Sequence, residues 1–100
     1  MTQKLTPSRV PTPGKILSRE LEARGWTQKD LAEIINRPVQ TINEIIRGIK
    51  QITPETAIEL SQALGTSPEF WTNLEAKYRL HLAAKEKKEE ETEQIITRKS

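Results

Sequence analysis

One hundred residues suffice for one compact domain and are too few for two. Only Trp26, Phe70, Trp71 and Tyr78 are aromatic, so the core is expected to be aliphatic and to leave no deep catalytic cleft. The absence of cysteine excludes disulfides and thiolate metal sites and suits a reducing cytoplasm. No apolar run approaches the roughly 18 residues needed to cross a bilayer. The first residues also lack the apolar stretch of a secretory signal, so a cytoplasmic protein without a membrane role is expected. The net charge is only +2, yet residues 1–50 carry nine Lys/Arg against five acids and residues 51–100 seven against nine. That asymmetry suits a polyanion-facing front half, and equally a solvated surface.

Residues 1–13, with Pro7, Pro11 and Pro13, read as an extended arm. Lys4 and Arg9 allow it to touch a phosphate backbone; otherwise it is a plain disordered tail. From Gly14 the pattern is helical, with Ile16, Leu17 and Leu21 on one face and Gly25 as the stop. Trp26 is expected to insert into the core at the bend. Thr27 opens a second helix with Asp30 three residues on, a variant capping box. Leu31, Ala32 and Ile35 form its buried stripe, with Ile34 partly covered. Asn36 tolerates the left-handed conformation that ends a helix, and Pro38 disfavours helical geometry at Arg37.

Proline is accepted in the first turn of a helix, so a third helix is predicted from about Pro38 through Arg47, stopping at Gly48. Two short helices joined by so brief a turn match a helix-turn-helix unit. A helix of about nine residues rises about 13 Å, the width of the DNA major groove. Ile42 and Ile45 face inward, which leaves Val39, Gln40, Asn43, Glu44 and Arg47 outside, with Thr41 flanking. Gln and Asn amides pair with adenine, Glu accepts from cytosine N4, and Val or Thr methyls touch thymine. The base-contact candidates are therefore Val39, Gln40, Thr41, Asn43 and Glu44. Gln28, at the first helical position of the second helix, sits beside unsatisfied N–H groups where a phosphate oxygen docks. With the basic residues Arg37, Arg47 and Lys50 it makes up the phosphate-contact set. Polar outer residues are also ordinary for a soluble helix; the preceding turn is what tilts the reading toward DNA.

The fourth helix opens at Thr53–Pro54–Glu55–Thr56, with Thr as cap and Pro at the first position. Its stripe is Ala57, Leu60, Ser61 and Leu64, closed by Gly65. Ser67–Pro68–Glu69 starts a fifth helix with the stripe Trp71, Leu74, Tyr78 and Leu82. Residues 14–84 thus form the domain, and the Lys/Glu-rich residues 85–100 form a charged tail, either a helical extension or disordered. His81 is the single histidine, Glu89–Glu90–Glu91 reads as a solvated run, and the scattered glycines build no phosphate loop. No metal cluster or nucleophile–base pair suggests itself, so no enzyme and no cofactor are expected.

The segments Trp26-Thr-Gln-Lys-Asp-Leu-Ala-Glu-Ile-Ile35 and Gln40-Thr-Ile-Asn-Glu-Ile-Ile-Arg-Gly48 resemble the XRE/lambda-repressor-like helix-turn-helix family. Pro13-Gly-Lys-Ile-Leu17, Arg37-Pro38, Thr41-Ile-Asn-Glu-Ile-Ile46, Ile52-Thr-Pro-Glu-Thr-Ala57 and Leu64-Gly-Thr-Ser-Pro-Glu-Phe-Trp-Thr-Asn-Leu74 are similar to its HigA-type addiction-module antidotes. The resemblance spans about residues 10–82. It implies an all-α, five-helix DNA-binding domain, usually dimeric, that represses its own operon and sequesters a RelE/HigB-like toxin that cleaves translated mRNA. Operator DNA and a toxin are thus the implied partners. It also places the family's phosphate contact on Gln28 and its base-reading positions on Val39, Gln40 and Glu44. Two positions depart from many relatives: Asn36 stands for a turn glycine and Pro38 for a serine cap. The alternatives are a stand-alone regulator, or an interaction module whose Trp71–Leu82 stripe and charged tail bind a toxin or a zinc peptidase.

Overall fold

The computed structural model describes residues 10–99, and side chains as far as residue 90. Helices α1 (Pro13–Arg24), α2 (Gln28–Ile35), α3 (Val39–Ile46), α4 (Pro54–Leu64) and α5 (Pro68–Lys99) follow one another, and no strand occurs among the described residues. Every start but that of α3 is capped by a local side chain. Thr12 Oγ1 accepts the Lys15 N–H ahead of Pro13, and Thr53 Oγ1 accepts the Thr56 N–H ahead of Pro54. At α2 the Thr27 N–H donates to Asp30 Oδ2 at 2.8 Å and the Asp30 N–H donates to Thr27 Oγ1 at 3.0 Å, so the capping box is complete. Gly25, Asn36 and Gly65 end their helices with positive φ; Asn36, at 58°, is the single non-glycine residue to do so among those described.

Leu17 and Leu21 of α1, Leu31 and Ala32 of α2, Ile42 and Ile45 of α3, Ile52, Ala57, Leu60 and Leu64 around α4, and Trp71 of α5 form one buried cluster. Trp71 is the largest fully buried side chain, and its indole N–H donates to Thr66 Oγ1 at 2.7 Å, which satisfies the one polar atom it carries inside. Arg24 ties α1 to α4 by donating to the Leu64 carbonyl at 2.6 Å.

The observed elements differ from the expectations in four places. α1 begins at Pro13, one residue earlier than Gly14. Pro38 is the cap of α3 and not part of its first turn: its ψ of 144° is extended, and no side-chain bond closes that end. Its carbonyl still accepts the Thr41 N–H at 3.0 Å, while the ring has no oxygen to offer a free donor. α3 ends at Ile46, with Arg47 as its cap. Trp26 lies half-buried against the core instead of inside it, with the Arg24 guanidinium 5.9 Å from its ring centroid. Beyond Ala84 the backbone of α5 continues as one helix to Lys99.

Gly14 does more than begin a helix. A Cβ at that position would stand 2.4 Å from the Ile45 carbonyl oxygen and 2.5 Å from that of Ile46. Both are backbone atoms, so neither can step aside cheaply, and α1 rests directly on the end of α3. Gly14→Ala should therefore cost about 1–3 kcal/mol despite alanine's better helix propensity. Urea unfolding monitored at 222 nm would register this as a lower midpoint with an unchanged slope.

Candidate nucleic-acid interface

α2 and α3 are joined by three residues, Asn36, Arg37 and Pro38. The left-handed Asn36 lets the Arg37 N–H return to the Ala32 carbonyl at 2.9 Å, which ends α2 sharply. α3 is then pinned by Ile42 and Ile45, exposed by 0% and 2%. On its other side Val39 is 48% exposed, Gln40 and Arg47 are exposed, and Thr41, Asn43 and Glu44 are half-buried. The expected division between an inward apolar pair and an outward polar face is present.

Six of the predicted site residues make side-chain contacts, in three groups. Gln40, Glu44 and Lys50 form a string on the outer surface: the Gln40 amide donates to Glu44 Oε2 at 3.2 Å, and Lys50 Nζ lies 3.8 Å from Glu44 Oε1. These are exposed, water-competed contacts that a base or phosphate can replace at little cost. Asn43 and Gln28 form the second group, because the Asn43 amide donates to Gln28 Oε1 at 3.2 Å across the turn. Asn43 is thereby drawn toward α2, and the bond uses the Gln28 carbonyl, leaving that residue's N–H donors for another acceptor. The backbone N–H groups of Gln28 and Lys29 lie between the two side-chain-capped donors, Thr27 and Asp30, at the positive end of α2.

Arg37, expected among the phosphate contacts, is the third case, and the structure gives it a partner within the fold. Its Nε and Nη2 each donate to Glu59 at 2.8 Å, one to either carboxylate oxygen, and Nη2 is 3.4 Å from Glu55. A guanidinium forked onto a carboxylate is committed to it in direction as well as in charge. Arg37 accordingly clamps the turn to α4. The hydrogen bond from Arg37, and secondarily its charge, holds the Glu59 carboxyl below its ordinary range, against the opposing effect of burial. The position of Glu59, 22 residues away in sequence, carried no local signal of this pairing.

Among the described residues there is no grouping of three or more His, Asp or Glu able to hold a metal, and no helix long and apolar enough to cross a membrane. A three-residue turn between two helices, the second buried on one side and polar on the other, defines a helix-turn-helix protein. The chain belongs to the XRE-type helix-turn-helix family, whose model matches residues 17–71. Its relatives include antitoxin HigA-1 of Vibrio cholerae, 39% identical over 71 residues that cover 70% of this chain and 67% of that protein. A putative antidote protein of a plasmid maintenance system from Nostoc punctiforme superimposes with a TM-score of 0.81 at 38% identity, covering 88% of this chain and 96% of that one. The Pseudomonas aeruginosa antitoxin HigA, solved with the higBA promoter, gives a TM-score of 0.77 at 31% identity over 82% and 90% of the two chains.

The depressed carboxyl of Glu59 fixes the sign of one pH effect. Its contribution to stability is complete above the ordinary glutamate pKa and is lost as the pH falls through the lower, folded-state value. Glu59→Gln should therefore melt at a lower temperature than the wild type at pH 7. The two melting curves should converge as the pH is brought down through the lowered, folded-state range of Glu59, when thermal unfolding is followed in steps from pH 7 into acid.

Proposed function

We propose that this protein is a dimeric, sequence-specific repressor of its own operon and the antitoxin of a RelE/HigB-like, mRNA-cleaving toxin. One observation carries the DNA half: α3 hides Ile42 and Ile45 completely while Val39, Gln40 and Glu44 stay accessible on a helix of groove-compatible length. The HigA structure solved with the higBA promoter supports it, because a similar fold there accompanies promoter DNA. Base readout falls to Val39, Gln40 and Glu44, with Thr41 beside them and Asn43 at the edge as it braces Gln28. Phosphates are met by the amide and helix end at Gln28 and by Arg47 and Lys50. Two copies would set their recognition helices about 34 Å apart on a palindromic site. The toxin half rests on the likeness to HigA-type antitoxins. Both operator and toxin would be met in the cytoplasm.

A gel-shift titration with the DNA upstream of its own gene, against random duplex at physiological salt, tests the repressor; equal affinity for the two would exclude it. Gln40→Ala or Glu44→Ala should alter sequence preference by about 1–3 kcal/mol per lost base contact. Arg47→Ala should instead weaken all sequences alike and flatten the salt dependence. Co-expression with a small ribonuclease-like reading frame next to its gene should restore growth that the frame alone arrests. Continued arrest would remove the antitoxin role and leave the repressor intact.

A further inference from the structure

Glu75 is the one buried carboxyl residue among those described, at 8% exposure on α5, where a hydrocarbon of similar size would carry no desolvation cost. Both of its oxygens are engaged. Oε2 accepts from Arg79 Nε at 2.5 Å, one helical turn on, and Oε1 accepts the backbone N–H of Ile52 at 3.0 Å. The second bond is the informative one. It joins α5 to the segment between α3 and α4, 23 residues away in sequence.

That segment hangs from two anchors. At its start the Glu44 carbonyl accepts both the Ile49 N–H at 2.8 Å and the Lys50 N–H at 3.1 Å. At its end Ile52 is 3% exposed and its N–H is held by Glu75. Gly48 turns the chain into the first anchor with a φ of 81°, and Ile49 and Lys50, whose N–H groups form that anchor, are exposed to solvent. An apolar side chain at position 75 could fill the same space but could not accept the Ile52 N–H, which would then be a buried donor without a partner.

We propose that Glu75 is a positioning residue for DNA binding: its carboxyl fixes the loop after the recognition helix so that Lys50, with Arg47 at the other end, is presented to the phosphate backbone. The proposal rests on the assignment of Arg47 and Lys50 as phosphate contacts. It makes α5, which touches no base or phosphate in that assignment, a determinant of how the domain sits on DNA. The required property is an acceptor oxygen at the right reach, not a negative charge. Glutamine should therefore serve, whereas aspartate, one methylene shorter, and leucine should not.

The test is binding of the full chain to its own upstream DNA and to a random duplex of equal length, over a series of salt concentrations. Each lost phosphate contact lowers the slope of log K against log salt by about 0.9. Glu75→Gln should keep the wild-type slope on both duplexes. Glu75→Asp and Glu75→Leu should lower it by about one to two, equally on both. In a Lys50→Ala background, Glu75→Leu should lower the slope by less than it does alone, since one of the contacts it positions is already gone. Amide exchange at Ile52 should be protected in the wild type and Glu75→Gln and fast in Glu75→Asp, which also serves if the leucine variant fails to fold. Wild-type slopes in folded Glu75→Asp, or a loss in Glu75→Gln equal to that in Glu75→Leu, would overturn the proposal. A shallow slope in the wild type itself would instead remove the assignment of the phosphate contacts, and this link with it.

Discussion

The burial of Ile42 and Ile45 is the constraint on which the interface depends. α3 has eight residues, too few to be stable as an isolated helix in water, and no side chain caps its start. Its order comes from burying its apolar pair in the common core, chiefly against α1 and α2. The same packing decides which residues face outward. A helix held by two side chains three positions apart cannot rotate without exposing one of them, so Gln40 and Glu44 are presented in a fixed direction.

Backbone-level contacts brace that helix. At its far end the Ile45 and Ile46 carbonyls lie against Gly14, where only the lack of a side chain permits the approach. At its near end the turn is held from two directions. Asn43 reaches back to Gln28 on α2, and Arg37 reaches forward to Glu59 on α4. The loop that follows is secured by the Glu44 carbonyl and by Glu75. These contacts come from α1, α2, α4 and α5, so the recognition helix and the turns on either side of it are tied to every other helix of the domain.

The charges are divided between architecture and surface. Arg37, Arg24 and Arg79 are engaged with carboxylates or a carbonyl of the fold. Arg47 and Lys50 remain toward solvent beside the recognition helix, Lys50 only loosely near Glu44. A basic front half in sequence thus becomes a smaller basic set in space. The proposed interface would rely on helix-end dipoles and amides as well as on cationic side chains.

The helices, their caps and the inward stripes could be read from the chain because their causes are local. A threonine three residues before its backbone donor, a proline at a first turn, a left-handed asparagine and apolar spacing of three and four all act within one or two turns of helix. The helix-turn-helix and its outward residues follow from those signals, whereas the family is legible only as a resemblance of whole motifs such as Trp26–Ile35 and Gln40–Gly48. Arg37 looked like a phosphate ligand because nothing nearby in sequence competes for it; Glu59 becomes its neighbour only when α4 folds back across the turn. Gly14 against α3, Asn43 against Gln28 and Glu75 beneath Ile52 are of the same kind. Such pairings depend on interhelical angles, which are set by the summed packing of the whole core and have no signature in any local stretch of the chain.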